Sequence, residues 1–204
     1  MSKWVKRLSL STIMLIGFVC IETAFGLWLQ PDTGAAQTIA YLILQATVLI
    51  VVFRRTAAEH VLATFPVLVA CAWCALYPYA AFLIANPAPL IPVTVINVLL
   101  ALSSLLAWRS IVSLGRSFGY RPARRQLITR GPYRAMRHPL YASYVIADAA
   151  LLLTAPELGV LVIVASGWAA LVARMLAEER VLSNDPLWAE YVSRVPYRLW
   201  PRVL

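Results

Sequence analysis

The chain has 204 residues, of which 61% are hydrophobic and only 13% are charged. A soluble domain usually has about a quarter of its residues charged, so this composition excludes a soluble enzyme and a disordered chain. The net charge of +9 is not accompanied by an aromatic and basic RNA- or DNA-binding motif, so we expect no nucleic-acid partner. We therefore interpret the chain as an integral membrane protein.

Six stretches rich in Leu, Val, Ile and Ala are candidate membrane-spanning helices. They are residues 8–29, 35–53, 61–85, 90–108, 139–155 and 158–173. A helix needs roughly 17 to 25 residues to cross a bilayer, so the first four fit well and the last two are short. None shows the alternation of a barrel strand, which leaves helices to satisfy the backbone inside lipid. The predicted fold class is all-α, a polytopic transmembrane helical bundle of about six spans.

The basic residues follow the predicted spans in a regular way. Lys3, Lys6 and Arg7 precede the first span, Arg54 and Arg55 follow the second, eight arginines lie from Arg109 to Arg137, and five follow the sixth span. The loops on the opposite side contain only Asp32, Glu157 and neutral residues. Because loops rich in Lys and Arg stay in the cytoplasm, this pattern predicts that both termini are cytoplasmic.

Composition also divides the chain into two segments. Residues 1–108 form a four-span hydrophobic half with almost no polar chemistry. Residues 109–204 contain a long cytosolic loop with Gly and Pro breakers, a helical hairpin and a tail rich in Trp and Tyr. Loops longer than about 15 residues are usually functional. We predict that this second segment is the catalytic part and binds a cofactor.

Two polar clusters in this second segment carry the candidate chemistry. The first reads GPYRAMRHPLY and runs from Gly131 to Tyr141, and the second reads RMLAEER and runs from Arg174 to Arg180. A tight turn at 155–157 would make the last two spans an antiparallel hairpin. The helical rise of 1.5 Å per residue then places Glu178 roughly 6 Å on the cytosolic side of His138. We predict one pocket at the lipid–water boundary that admits a charged cofactor and a lipid-borne substrate.

From residue 114 to 201 the chain resembles the isoprenylcysteine carboxyl methyltransferase and phospholipid methyltransferase superfamily. The resemblance rests on GPYRAMRHPLY, the hydrophobic hairpin, the Glu-Glu-Arg triplet, Tyr191 and Val195-Pro196. It implies an integral membrane methyltransferase with S-adenosylmethionine as its cofactor, and it implies that Arg174 faces the substrate. Carried over by position, it implies cofactor contacts from Gln126, Leu127, Tyr133, His138, Pro139, Leu140, Tyr141 and Glu178.

The residue types suit this cofactor independently of the resemblance. S-adenosylmethionine carries an ammonium, a carboxylate, an adenine and a sulfonium, so its site needs acidic, basic and apolar groups. Glu178 or Glu179 can pair with the ammonium, and Tyr133 or Tyr141 can place its ring beside the sulfonium. We assign Arg174 and Glu179 to catalysis, since Arg174 can bind an acceptor carboxylate bidentately. The resemblance implies methyl transfer to a lipid or lipid-modified acceptor at the cytosolic face, with the carboxyl group of a prenylcysteine-like acceptor favoured.

Two carboxylates lie inside predicted spans, Glu22 in the first and Asp148 in the fifth. Intramembrane carboxylates usually have a function. For Asp148 two interpretations stay open: contact with a polar substrate head, or a pair with Asn97 or a serine of the fourth span. Three cysteines also fall within spans, where zinc sites are improbable, so we expect no metal.

Two other functions compete with methyl transfer. An NADPH-dependent sterol-type reductase shares the RHPxY element and a sequence like Pro196-Tyr197-Arg198, but such reductases are usually longer and have more spans. A non-enzymatic transporter or scaffold would use Glu22 and Asp148 and would leave the cytosolic cluster without a role. The chain shows neither repeated halves nor broken helices in matching positions, which argues against a transporter.

Overall fold

The computed structural model describes residues 64–119 and 126–201, together with positions 43, 46, 47 and 50. Regular structure in these residues is helical throughout, in agreement with the predicted class. The helices are α1 (Phe65–Ile84), α2 (Val93–Leu114), α3 (Pro139–Thr154), α4 (Leu158–Leu182) and α5 (Trp188–Arg194), with 3-10 turns at Gly115–Ser117 and Gly131–Arg134. The predicted span 8–29, most of the span 35–53, and Glu22 lie outside the described residues.

Among the described residues, three helices are long and apolar enough to cross a membrane. They are α1, α4, and α2 extended through its 3-10 turn to Ser117. The helix α3 is apolar but has only 16 residues. These helices are those expected of an integral membrane protein, and the count of six spans stays a prediction.

Prolines and interfacial residues explain where the helices begin and end. Pro139 opens α3 and Pro92 directly precedes α2, since a proline at a helix start lacks only an N–H that would have no intrahelical partner.

The helix α2 ends at Leu114, beyond the predicted end at residue 108, so the compositional boundary at 108/109 lies within it. Arg109 is exposed on this last part of the helix, where a long basic side chain can reach the membrane surface. The helix α4 continues through Glu178 and Glu179, as the sequence predicted.

The four long helices run alternately up and down, and they pack as two pairs. The helix α1 packs along α4, and α2 packs along α3, whereas α3 and α4 contact each other at few points. The loops between α1 and α2 and between α3 and α4 meet at one end, where Ala88 N–H donates to the Thr154 carbonyl (2.8 Å) and the Asn86 amide donates to Glu157 (3.0 Å). The opposite end, with the C-termini of α2 and α4, carries the polar clusters and the basic residues of the described part of the chain.

The pair formed by α1 and α4 depends on small residues. Ala81, Val160 and Val164 are fully buried between these helices. Gly167 of α4 lies directly beside the ring of Tyr77, because a Cβ added at this glycine would come within 2.5 Å of the ring. The backbone of α4 thus approaches α1 closely at the level of Tyr77.

Candidate active site

The loop between α2 and α3 returns to the helices at Gly131. This glycine has φ +61°, in the left-handed region, and a Cβ there would collide with Ser113 Oγ of α2. Glycine is therefore the residue that fits both the backbone conformation and the available space. The following 3-10 turn buries Tyr133, whose carbonyl accepts a 2.9 Å hydrogen bond from Tyr191 OH. Burial raises the pKa of Tyr133 well above its usual value and that of Tyr191 to about 12, so both phenols are neutral at physiological pH.

The two polar clusters meet where α3 begins and α4 ends. His138 Nε2 lies 3.1 Å from Glu179 Oε1, and Tyr141 OH donates to Glu178 Oε1. The rings of His138 and Tyr141 stack on successive turns, with centroids 5.4 Å apart and planes inclined by 12°. The convergence predicted from helix lengths is therefore present in the structure.

Arg174 lies one helical turn before Glu178 and is 5% exposed. Its Nε is 3.4 Å from Glu178 Oε1, and its guanidinium carbon lies 5.4 Å from the centre of the Tyr141 ring. A cation over an aromatic face is stabilised by the negative potential of that face. The ion pair and the ring together hold a buried positive charge beside the carboxylate of Glu178.

Glu179 binds a different set of partners. Its carboxylate accepts hydrogen bonds from Arg198 Nε (3.1 and 3.2 Å) and Arg198 Nη2 (3.0 Å), and it lies 3.1 Å from Arg137 Nη1. These hydrogen bonds and the charge of Glu179 raise the pKa of Arg198, while burial lowers that of Arg137. The carboxylate thus joins His138, the loop before it and the C-terminal tail.

Residues 196–199 form a strap across the start of α3. The Tyr197 carbonyl accepts a hydrogen bond from Arg137 N–H (2.9 Å), and the Arg198 carbonyl accepts one from His138 N–H (2.8 Å). Leu199 packs against the buried cluster of Tyr141, Leu171 and Met175. The backbone at His138 is therefore fixed from both sides, by α3 and by the strap.

A cleft opens between the end of α2, the loop, the start of α3 and the end of α4. It encloses about 810 Å³ of space, part of it open to solvent. Eight of the ten predicted cofactor and catalytic residues line it, namely Gln126, Leu127, Tyr133, His138, Leu140, Tyr141, Arg174 and Glu178. The other two, Pro139 and Glu179, are not among the lining residues: Pro139 is buried in the first turn of α3, and Glu179 lies behind His138.

Seven further residues also line the cleft, although the sequence did not predict them there. They are Leu114, Ser117, Phe118, Gly119, Ile128, Leu182 and Tyr191. Leu114, Ser117, Phe118 and Gly119 lie around Gly115, Ile128 lies in the loop, and Leu182 and Tyr191 lie on α4 and α5. Of the seven, Tyr191 had a signal in the sequence, because it is part of the pattern that carries the family resemblance. Arg198 belongs to the reductase-like sequence Pro196-Tyr197-Arg198, and nothing in the sequence predicts its hydrogen bonds to Glu179.

Asp148 is placed differently from both interpretations given above. It is 5% exposed and does not line the cleft. Its Oδ2 accepts hydrogen bonds from Tyr77 OH of α1 (2.8 Å) and from Trp168 Nε1 of α4 (2.7 Å). A pair with Asn97 or a serine of α2 is therefore wrong, and the location gives no support to contact with a substrate head group.

The comparison with known families covers the segment that builds this cleft. No curated protein matches the chain significantly. Residues 94–184 match the model of the isoprenylcysteine carboxyl methyltransferase (ICMT) family. The match includes nearly all of α2 together with α3 and α4, and thus both polar clusters, while Tyr191 and the strap lie beyond it. The family model confirms the resemblance drawn from the motif: residues 94–184 are similar to a family of methyltransferases.

Proposed function

We propose that this protein transfers a methyl group from S-adenosylmethionine to an acceptor that carries a lipid chain. The observation that supports this most is the cleft itself, in which Tyr141 and Arg174 contact Glu178 and the ring of His138 stacks on that of Tyr141. The family match at residues 94–184 supports the reaction class. The cofactor and the acceptor are our inference from the resemblance to this family and from the chemistry of the residues.

The groups around the cleft fit the cofactor in their chemistry. Glu178 Oε1 is engaged by Tyr141 and Arg174, while Glu178 Oε2 lies 4.0 Å from His138 Nδ1. A carboxylate has about four acceptor positions, so Glu178 retains the capacity to bind an ammonium group. Apolar side chains such as Leu114, Leu127 and Leu140 provide a slot for an adenine ring.

When bound, S-adenosylmethionine would supply an electrophilic methyl group and would leave as S-adenosylhomocysteine after the transfer. Glu178 would hold its ammonium group, and the ring of Tyr141 or Tyr133 would lie near the positive charge. Arg174 would bind an acidic group of the acceptor. Because such a displacement is accelerated mainly by alignment of the reacting atoms, these residues act chiefly by positioning.

We assign Glu179 a positioning role, in place of direct contact with the reacting atoms. It accepts hydrogen bonds from Arg198 and His138 behind the cleft wall, and the strap fixes the backbone of His138 on the same side. Loss of this carboxylate would leave Arg137 and Arg198 without their shared partner. We therefore propose that Glu179 keeps His138 and the strap in register with Glu178.

The acceptor that best fits the site is a carboxylate on a prenylcysteine-like group, at the cytosolic face of the membrane. A carboxylate is already nucleophilic at neutral pH, so it needs no base. Arg174 is a buried cation at the level where the helices leave the apolar zone. The clustering of basic residues at this end of the bundle supports a cytosolic location.

The proposal is tested by transfer of a tritiated methyl group from S-adenosylmethionine to N-acetyl-S-farnesylcysteine in detergent micelles. We expect incorporation that is released as volatile methanol by mild alkali, since a methyl ester hydrolyses and an N-methyl group does not. Label that resists alkali, obtained with a membrane lipid extract as the acceptor, would show that the acceptor group is an amine and not a carboxylate. No incorporation into either acceptor by folded protein would contradict methyl transfer.

A further inference from the structure

The carboxylate of Asp148 joins three helices outside the cleft. It belongs to α3, and its Oδ2 accepts hydrogen bonds from Tyr77 of α1 and Trp168 of α4. Both donors meet the same oxygen. In the low-dielectric interior of a membrane protein, each of these hydrogen bonds is costly to lose, because no water replaces the partner.

This bond set lies on the same face of α3 as the cleft. Tyr141, Val145 and Asp148 are spaced by four and three residues, so they share one face, and Asp148 lies about 10 Å deeper than Tyr141. On α4 the residues Trp168, Leu171, Met175 and Glu178 follow the same spacing of three and four. The seam between α3 and α4 therefore has two polar ties, Tyr141 to Glu178 at the cleft and Asp148 to Trp168 below it.

Between these ties, the seam is filled by large side chains. Tyr141, Leu171 and Met175 form one buried cluster, against which Cys74 of α1 and Val145 of α3 pack. The helices α3 and α4 make few close backbone contacts. Their separation is thus determined by these side chains and by the two ties, and not by direct contact of their backbones.

The same tie depends on the close approach of α1 to α4. Tyr77 reaches Asp148 from a ring that lies directly against Gly167. A side chain at Gly167 would push the ring away. Two features of the sequence, an acidic residue on α3 and a glycine on α4, therefore serve one three-helix connection.

We propose that Asp148 is a positioning residue, whose hydrogen bonds to Tyr77 and Trp168 set the separation of α3 and α4 and thereby the width of the cleft above. His138 and Tyr141 enter the cleft from α3, and Arg174 and Glu178 enter it from α4. A change in the separation of the helices moves these two sets of groups apart. The functional consequence rests on the proposed methyltransferase site, whereas the mechanical consequence does not.

The first test measures the seam without any ligand, through the alkylation of Cys74 by N-ethylmaleimide in detergent, followed by peptide mass mapping. We expect Asp148→Ala to accelerate this alkylation at least threefold, because the seam on which Cys74 packs becomes looser. Asp148→Asn should stay within twofold of the wild type, since one amide oxygen can accept both hydrogen bonds. Glu157→Ala is the control and should not change the rate, because it removes another carboxylate, which accepts a hydrogen bond from Asn86 at the opposite end of the bundle. Equal rates in Asp148→Ala and the wild type would overturn the proposal.

The second test measures the affinity for S-adenosylhomocysteine by calorimetry. We expect Asp148→Ala to weaken binding at least fivefold and Asp148→Asn to restore it. A lower melting temperature with unchanged affinity would reduce Asp148 to a purely structural role and overturn the proposal. Absence of binding by the wild type would reject the proposed function, and the alkylation rates would still decide the role of Asp148.

If Asp148→Ala does not fold, Tyr77→Phe and Trp168→Phe replace it in both tests. Each removes one donor and keeps the aromatic ring, so each should loosen the seam and weaken binding by less than the alanine variant. If neither variant changes the alkylation rate of Cys74, the positioning role is contradicted.

Discussion

The charge and the position of Glu178 allow the most direct test of the proposed cofactor at a single residue. It accepts a hydrogen bond from Tyr141 and pairs with Arg174, so a neutral amide in its place keeps an acceptor for Tyr141 but removes the negative charge. We expect Glu178→Gln to weaken S-adenosylmethionine binding by about 1.5 to 3 kcal/mol, the range for a hydrogen bond to a charged group. Calorimetric titration of the folded variant measures this change.

The control for this prediction is Glu190→Gln. Glu190 also pairs with an arginine four residues away, Arg194, but both side chains are more than 60% exposed and lie outside the cleft. Its substitution should leave the affinity unchanged. If Glu178→Gln binds as tightly as the wild type, the ammonium contact must be sought elsewhere.

Arg174 tests the charge of the acceptor. Lysine keeps the positive charge but lacks the planar fork that binds a carboxylate with two parallel hydrogen bonds. We expect Arg174→Lys to lower turnover of an anionic acceptor at least tenfold, about 1.4 kcal/mol in the transition state, with little change in cofactor affinity. Steady-state kinetics with each substrate varied in turn measures both effects.

Arg180→Lys on the exposed side of the same helix is the matched control, and we expect it to retain normal turnover. A different outcome for Arg174→Lys, in which cofactor affinity falls and acceptor kinetics do not change, would make Arg174 a ligand of the cofactor carboxylate. The acceptor would then be a neutral amine or thiol.

At the scale of the elements, the 3-10 turn at Gly131–Arg134 connects the loop to the cleft wall. Alanine in the left-handed region costs roughly 1 to 2 kcal/mol, and at Gly131 a Cβ also collides with Ser113 Oγ. We therefore expect Gly131→Ala to lower the melting temperature and to displace Tyr133 from the cleft, which weakens cofactor binding. Thermal unfolding and calorimetry on the same preparation measure the two effects.

Gly115→Ala is the natural comparison, because Gly115 also has a positive φ (+49°) but has nothing within 4 Å of the position of an added Cβ. It should show the backbone strain without the collision, and thus a smaller loss of stability. Equal losses of stability in the two variants would show that the collision with Ser113 does not contribute to the effect of Gly131→Ala.

The helices and the meeting of the two polar clusters could be predicted from the sequence because they depend on local features. Apolar length, prolines at helix starts and a short turn at 155–157 determine where α3 and α4 run, and the helical rise then brings His138 to the level of Glu178. Eight of the ten predicted cofactor and catalytic residues line the cleft as a result.

The partners of Glu179 and Asp148 could not be predicted in the same way. Arg198 reaches Glu179 through a tail that folds back over α3, and Tyr77 reaches Asp148 because α1 packs on α4. Apolar helix faces are alike along their length, so the hydrophobic pattern does not specify which helices form pairs. Only the side-chain contacts in the folded structure show whether Asp148 connects helices or is placed to bind a substrate.

At the scale of the whole molecule, the distribution of charge predicts the orientation in the membrane. Ser117 lies at the cleft end and Glu157 in the turn at the other end. In intact cells, we expect cysteine at position 157 to react with a membrane-impermeant maleimide, and cysteine at position 117 to react only after permeabilisation. The parent protein, with its own cysteines, gives the background. Labelling at position 117 from outside would reverse the orientation and separate the cleft from a cytosolic cofactor.

The central claim is that the cleft between α3 and α4 binds S-adenosylmethionine. It is tested most directly by calorimetric titration of the detergent-purified protein with S-adenosylhomocysteine and, separately, with NADPH. We expect saturable binding of S-adenosylhomocysteine with one site per chain, a lower affinity in Glu178→Gln, and no heat of binding for NADPH. Saturable binding of NADPH without binding of S-adenosylhomocysteine would contradict the account and would favour a reductase.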